Sequence, residues 1–276
     1  MTALKKALGL LALVVALGAG PVAAAPEYSF GVVPQFEPRQ LASIWVPILK
    51  ALEARTGFTL KMDGAVNIPD FEIAFQSGRF DFAYMNPWHS LVALRTQGYQ
   101  PLVRDGGRTL SGILVTRKDG GITSVKDLEG KTIAFPAPNA LGASLLMRAD
   151  LETIFGVSYR PLYVSTHSSV YANVLVGRAA AGGGVMSTLN NQKPEVRDAL
   201  RIVYKTREMA PHPVVAHPRV PESDRLALQR AFLELGATEE GAALLAKVPI
   251  KRVVKASEED YTPLSEWGLE RFFVKE

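Results

Sequence analysis

Hydroxyls and an imidazole crowd one short stretch of the chain. Residues 165–171 read STHSSVY, placing Thr166, His167, Ser168, Ser169 and Tyr171 side by side, and His167 is one of only four histidines. Two other loops carry related chemistry: YMNPWHS (84–90) holds Tyr84, Asn86 and His89, and PAPNALGAS (136–144) holds Asn139, the Gly142 backbone N–H and Ser144. Hydroxyl, amide, phenol and imidazole groups all donate hydrogen bonds to an oxyanion without a cluster of cations. The same residues have plainer uses. Ser165 or Ser168 can cap a helix, His167 can be satisfied by a neighbouring carbonyl, Asn86 can open a turn before Pro87, and Trp88 can simply pack.

Position in the chain favours the ligand-binding use. Each of the three loops follows a β-rich run and precedes a helical one. In open α/β sheets this is where helix N-termini present unsatisfied N–H groups beyond the carboxyl ends of the strands. YSFGVVP (28–34), FTLKMDGAV (58–66) and FDFAYMN (80–86) read as strands, separated by a helix with Leu41, Ile44, Trp45, Ile48, Leu49 and Leu52 in phase and by the short helix of IPDFEIAFQSG. The pattern recurs. GILVTRKD, TIAFPAP and YRPLYVST are strand-like, while LGASLLMRADLETIFG and SVYANVLVGR are helical. AAAGGGV (179–185) reads as a crowded strand or turn and lacks the lysine and spacing of a phosphate loop.

The order predicts two similar α/β lobes joined by two crossings, near residues 102–116 and 202–209. Residues 25–107 begin the first lobe, 108–207 form the second, and 208–276 complete the first and supply C-terminal helices. A single doubly wound domain is the alternative topology.

Residues 1–24 stand apart. Lys5 and Lys6, the apolar run from Ala7 to Leu17 and the small residues of 22–25 have the form of a cleaved secretory signal, with a membrane anchor as the alternative. Without Lys5 and Lys6 the chain holds 29 basic and 27 acidic residues, a net +2, which carries no nucleic-acid footprint. The absence of cysteine excludes disulfides, thiolate metal sites and a lipidated cysteine. A periplasmic protein follows.

Other chemistries fit less well. A hydrolase would need a nucleophile elbow of the Gly-x-Ser-x-Gly kind or a metal-binding carboxylate set, and neither is written here. His89, His167, His212 and His217 could meet around a metal or cofactor, yet prolines flank the last two and suggest an extended hinge segment. A regulator of transcription would need a DNA-binding segment.

Four stretches, FGVVPQ (30–35), FDFAYMNPWH (80–89), KDLEGKTIAFPAPNALGASLL (126–146) and THSSVYANVLVGRAAAGGGV (166–185), give the chain a specific resemblance. It resembles the periplasmic phosphate-, phosphite- and phosphonate-binding proteins of ABC transporters. The resemblance implies an α/β type II periplasmic binding fold: two lobes, each a mixed, mostly parallel sheet flanked by helices, with a cleft at a two-segment hinge. It implies a non-enzymatic, monomeric solute-binding protein without cofactor or resident metal. Such a protein delivers a small oxyanion to an ABC permease, or in some relatives to the periplasmic domain of a sensor kinase. His167, with Thr166 and Ser168, matches the loop whose histidine contacts the oxyanion, and Tyr84 to His89 matches the first-lobe loop. The third loop departs from the pattern: Asn139, Ala140, Leu141 and Gly142 stand where phosphonate-binding relatives have Ser-Thr-Ser-Gly. A smaller or less charged oxyanion suits that loop as well as phosphate does.

Overall fold

The structure is a computed structural model that describes residues 25–275; the expected signal at 1–24 lies outside the described residues. The chain begins with strand β1 (Glu27–Val32), helix α1 (Pro38–Thr56), β2 (Thr59–Gly64), α2 (Ile68–Gln76), β3 (Phe82–Tyr84), α3 (Pro87–Gln97) and β4 (Gln100–Asp105). The in-phase apolar residues of α1, from Leu41 to Leu52, are all buried, and Gly57 ends the helix at a φ of 74°, a conformation that favours glycine. A second series follows: β5 (Gly112–Arg117), β6 (Thr132–Phe135), α4 (Leu146–Thr153), β7 (Arg160–Tyr163), α5 (His167–Leu175), β8 (Ala181–Val185), α6 (Met186–Asn190), α7 (Pro194–Ala199) and β9 (Leu200–Lys205). The chain returns through β10 (Val214–Ala216), α8 (Glu222–Gly236), α9 (Glu239–Leu245) and β11 (Val253–Lys255).

These strands form two sheets, ordered β11-β4-β10-β3-β1-β2 and β7-β6-β8-β5-β9. β1 pairs in parallel with β2 and β3, and β6 with β7 and β8, so each sheet has a parallel run of three strands at one end, while β10, β4 and β11 continue the first sheet and β5 and β9 the second through antiparallel pairings. Parallel neighbours require a crossover helix between them. Consequently the loops after β3, β6 and β7 emerge at the carboxyl ends of parallel strands, as the sequence order predicts, and the loop after β1 joins them.

The chain passes between the sheets twice, at residues 106–111 and 206–213. The passes are held side by side by Leu110 and Met209, each N–H donating to the other's carbonyl at 2.9 Å. The crossings are therefore shorter than the strand-like stretches expected from sequence. β4, β5 and β9 continue almost up to them because each finds a ladder partner in its own sheet.

One packed core fills the first lobe around β1 and β3, and two smaller cores lie in the second. A further cluster joins the lobes: Trp88 and Leu91 from α3 meet Leu141, Leu145, Leu146 and Ala149 together with Leu264 and Leu269 near the C-terminus. The C-terminal turns thus pack against both lobes and not only the first.

The expected single helix after residue 140 is divided. Leu141–Leu145 form one wide π turn before α4. The turn settles its carbonyls directly on glycines: a β-carbon added to Gly112 would lie 1.9 Å from the Gly142 oxygen, and one added to Gly183 would lie 1.8 Å from the Ala143 oxygen. The glycines of AAAGGGV are thus a buried strand whose missing side chains let that turn sit on the sheet.

Candidate ligand-binding site

A small cavity lies between the lobes. The first lobe lines it with Val33, Gln35, Ile68 and Asn86, the second with Ala140, Leu141, Gly142, Ala143, His167 and Val185, and the return crossing with His212. Its volume is about 20 Å³, not far above the roughly 10–15 Å³ that one water requires. An extended organic ligand would need the lobes to separate.

Two chain turns begin beside this space. Thr166 caps α5, its Oγ1 accepting from the Ser169 N–H at 3.1 Å, and Val170 N–H bonds to the Thr166 carbonyl. The first-turn N–H groups of His167 and Ser168 then have no acceptor within the helix. In the π turn the first bonds run from Ser144 and Leu145 to the Ala140 carbonyl, at 2.7 and 3.1 Å. The N–H groups of Leu141, Gly142 and Ala143 therefore precede the bonded turn.

Two imidazoles complete the polar lining. His167 is 3% exposed, and burial pushes its pKa down to about 4. His212 is 8% exposed; burial, helped by the nearby positive charge of Arg108, pushes it down to about 3. Both are neutral at ordinary pH. His167 Nδ1 lies 3.2 Å from Thr188 Oγ1, and His212 Nε2 lies 3.4 Å from the Gln35 amide nitrogen. His212 also stacks on Tyr84, with ring centroids 5.3 Å apart.

Of the residues singled out from sequence, Asn86, Gly142 and His167 line the cavity. Thr166, Ser168 and Ser169 are not among its lining residues and form the α5 cap: Ser169 Oγ accepts from Thr166, and Ser168 Oγ accepts from Gln192. Tyr84 and Tyr171 lie behind the lining. Tyr171 is fully buried, its hydroxyl 2.7 Å from Thr188 Oγ1. Ser144 is buried, and its Oγ accepts from Arg148.

His89 and Asn139 belong to a separate sealed network. His89 Nε2–H donates to Glu72 Oε1 at 2.8 Å, and the Asn139 amide donates to Glu72 Oε2 at 2.8 Å and to the Val274 carbonyl at 2.7 Å. Asn139 Oδ1 in turn accepts from the Val274 N–H at 2.9 Å. Nearby, Arg148 donates to the carbonyls of Pro138 and Phe272. Asn86 serves both neighbourhoods: its Oδ1 caps α3 by accepting from the His89 N–H at 2.8 Å, and its amide reaches the Asn139 carbonyl at 3.4 Å.

The four histidines do not converge. His217 sits outside the cleft, where its Nδ1 accepts from the Arg219 N–H at 3.1 Å. Among the described residues no cluster of three histidine, aspartate or glutamate side chains is arranged to hold a metal.

Gln35, Glu72 and Thr188 were not singled out from sequence. Glu72 leaves a trace there, since a glutamate in the apolar phase of α2, between Phe71 and Phe75, needs a buried partner. Gln35 and Thr188 leave none, because their roles arise from contacts between distant segments.

Comparison with known proteins gives the arrangement a context. The family described as "ABC transporter, phosphonate, periplasmic substrate-binding protein" matches residues 30–261. The phosphonates-binding periplasmic protein of Escherichia coli (strain K12) is 22% identical over 242 residues, covering 80% of this chain and 69% of that protein. A binding protein component of an ABC phosphonate transporter from Pseudomonas aeruginosa superposes with a TM-score of 0.81 at 19% identity, covering 90% of this chain and 88% of the other. PhnD1 from Prochlorococcus marinus (MIT 9301), solved in complex with methylphosphonate, gives 0.79 at 17% identity, covering 88% and 97%. The shared architecture is the type II periplasmic binding fold. No helix among the described residues is long and apolar enough to cross a membrane. Two sheets, a paired crossing and an interlobe cavity thus accompany a match over most of the chain, and the protein belongs to the family of periplasmic substrate-binding proteins of phosphonate ABC transporters.

Proposed function

We propose that this chain captures a small phosphonate-like oxyanion in the interlobe cavity and delivers it to an ABC permease. Residues 25–107 with 208–276 act as one lobe and 108–207 as the other, closing about the paired crossing. The protein works as an exported monomer after removal of residues 1–24. One observation carries this reading: the starts of two turns of the second lobe, His167 and residues 140–143, line one small cavity together with Asn86 and Gln35 of the first. A ligand touching both sides would stabilise the closed arrangement by its differential contacts. The binding of methylphosphonate by the Prochlorococcus relative supports the ligand class.

Within this reading His167, Asn86 and the Gly142 N–H contact the ligand, joined by His212 and Gln35. Thr166, Ser168 and Ser169 shape the α5 terminus, Tyr84 and Tyr171 back the two imidazoles, and His89, Asn139 and Ser144 hold the loops. Isothermal titration of ligand-stripped protein with phosphate, phosphite, methylphosphonate, arsenate and sulfate, in the presence of a chelator, tests it. At least one of these should bind, and His167→Ala should weaken that ligand by about 1–3 kcal/mol, the range for a hydrogen bond to a charged group. Failure of all five to bind, or unchanged affinity in His167→Ala, would overturn the assignment.

A further inference from the structure

The interlobe cavity has an uncharged wall. Four neutral polar side chains line it, Gln35, Asn86, His167 and His212, and the rest of the lining among the described residues is glycine and aliphatic. Burial holds both imidazoles neutral, with pKa values pushed down to about 4 and about 3. Either tautomer of either ring is uncharged at neutral pH, so the charge of the wall does not depend on which nitrogen carries the proton.

Two carboxylates stand behind this wall, and each is already engaged. Asp105 is 1% exposed; its Oδ1 accepts from the N–H groups of Gly107 and Arg252 at 2.8 and 3.0 Å, and its Oδ2 from Arg108 Nε at 2.9 Å. Glu72, also 1% exposed, accepts from His89 on one oxygen and from Asn139 on the other, both at 2.8 Å. The Asn86 side-chain oxygen is occupied as well, by the His89 N–H. Among the described residues no acid lines the cavity itself.

We propose that the cavity takes phosphonates whose substituent on phosphorus is small and uncharged, and rejects aminoalkylphosphonates because no carboxylate is free to receive the ammonium. The proposal rests on the phosphonate reading above and adds the class of substituent. The phosphonate oxygens compete for the neutral polar groups of the lining, which leaves the substituent against aliphatic side chains. An alkyl group gains by that burial. An ammonium in the same place gives up its hydration and meets no opposite charge on the protein. The cavity volume of about 20 Å³ keeps the substituent short.

The test is titration calorimetry with methylphosphonate, ethylphosphonate and aminomethylphosphonate. The last two are matched in size and differ by a methyl against an ammonium. Measurement at neutral and at mildly alkaline pH matches the charge of their phosphonate groups in the second condition while the amine keeps its proton. Ethylphosphonate should bind within about tenfold of methylphosphonate, and aminomethylphosphonate about a hundredfold more weakly than ethylphosphonate, the scale of a buried charge without a partner. Gln35→Glu puts a carboxylate on the wall with little change of shape, and should move the ratio of the two affinities toward the amine by about tenfold. Aminomethylphosphonate binding as tightly as ethylphosphonate, or an unchanged ratio in Gln35→Glu, would overturn the selection while leaving phosphonate binding intact. Binding of methylphosphonate with neither larger ligand bound would overturn it too, since size alone would then decide. Absence of binding by all three would overturn both the selection and the phosphonate reading.

Discussion

A buried imidazole is held neutral at two points of this cleft, and the consequence reaches beyond binding. In the unfolded chain both histidines titrate near 6.5, but in the fold His167 does so only near 4 and His212 near 3. Between those values the unfolded state binds more protons, so stability falls as pH drops through that window and is unaffected by these groups above it. At 1.36 kcal/mol per pKa unit, His167 alone costs about 3 kcal/mol by the acid end of its window. Urea unfolding at pH 7 and about 4.5 should show this loss, and replacing both histidines by glutamine should remove a large part of it. An equal loss in wild type and variant would mean that carboxylates such as Asp81, held below their usual range, carry the acid sensitivity.

The glycine run of β8 is the element on which the site is mounted. Gly182 and Gly184 admit Val170 and the Tyr171 hydroxyl from α5 on one face of the strand, and Gly183 admits the Ala143 carbonyl of the π turn on the other. Two N-termini are thereby brought to one cavity by a strand that contributes almost no side chain of its own. Gly183→Ala places a methyl where the Ala143 oxygen and the Phe135 ring already sit, at 1.8 and 2.8 Å. Overpacking of this kind costs about 1–3 kcal/mol or more. The variant should melt earlier and bind the ligand more weakly than its stability loss alone implies, because the turn carrying the Gly142 N–H must shift. Circular dichroism melts paired with calorimetry would show it, and undiminished affinity would mean that the turn is held from elsewhere.

Across the whole molecule, Asn139 connects parts that the chain keeps far apart. It joins Glu72 of α2 to Val274 near the C-terminus, and Arg148 of α4 holds the adjoining Phe272 carbonyl. The C-terminal turns lie over the junction of the two lobes and tie them together. Asn139→Ala removes three hydrogen bonds and leaves Glu72 with an unpartnered oxygen, a change of about 1–3 kcal/mol or more at a buried site. The expected outcome is a lower melting temperature together with a larger radius of gyration by small-angle scattering in the absence of ligand. An unchanged radius would assign this network to the stability of the fold and not to the relation between the lobes.

By itself the sequence determined the alternating α/β order, the helix phases such as Leu41 to Leu52, and the three strand-to-helix loops where polar groups gather. These are local properties, set by periodicity, capping and turn chemistry within a few residues of one another. His167 was legible for that reason, as a donor-rich loop at a helix start. The tertiary structure alone decided that His212 enters the cleft from the return crossing, that His89 and Asn139 turn away from it toward Glu72, and that Thr188 stands behind His167. Each of these depends on segments 17 or more residues apart meeting in space. Burial, which sets the charge of both imidazoles, is likewise a property of the packed lobes and not of any one stretch of chain.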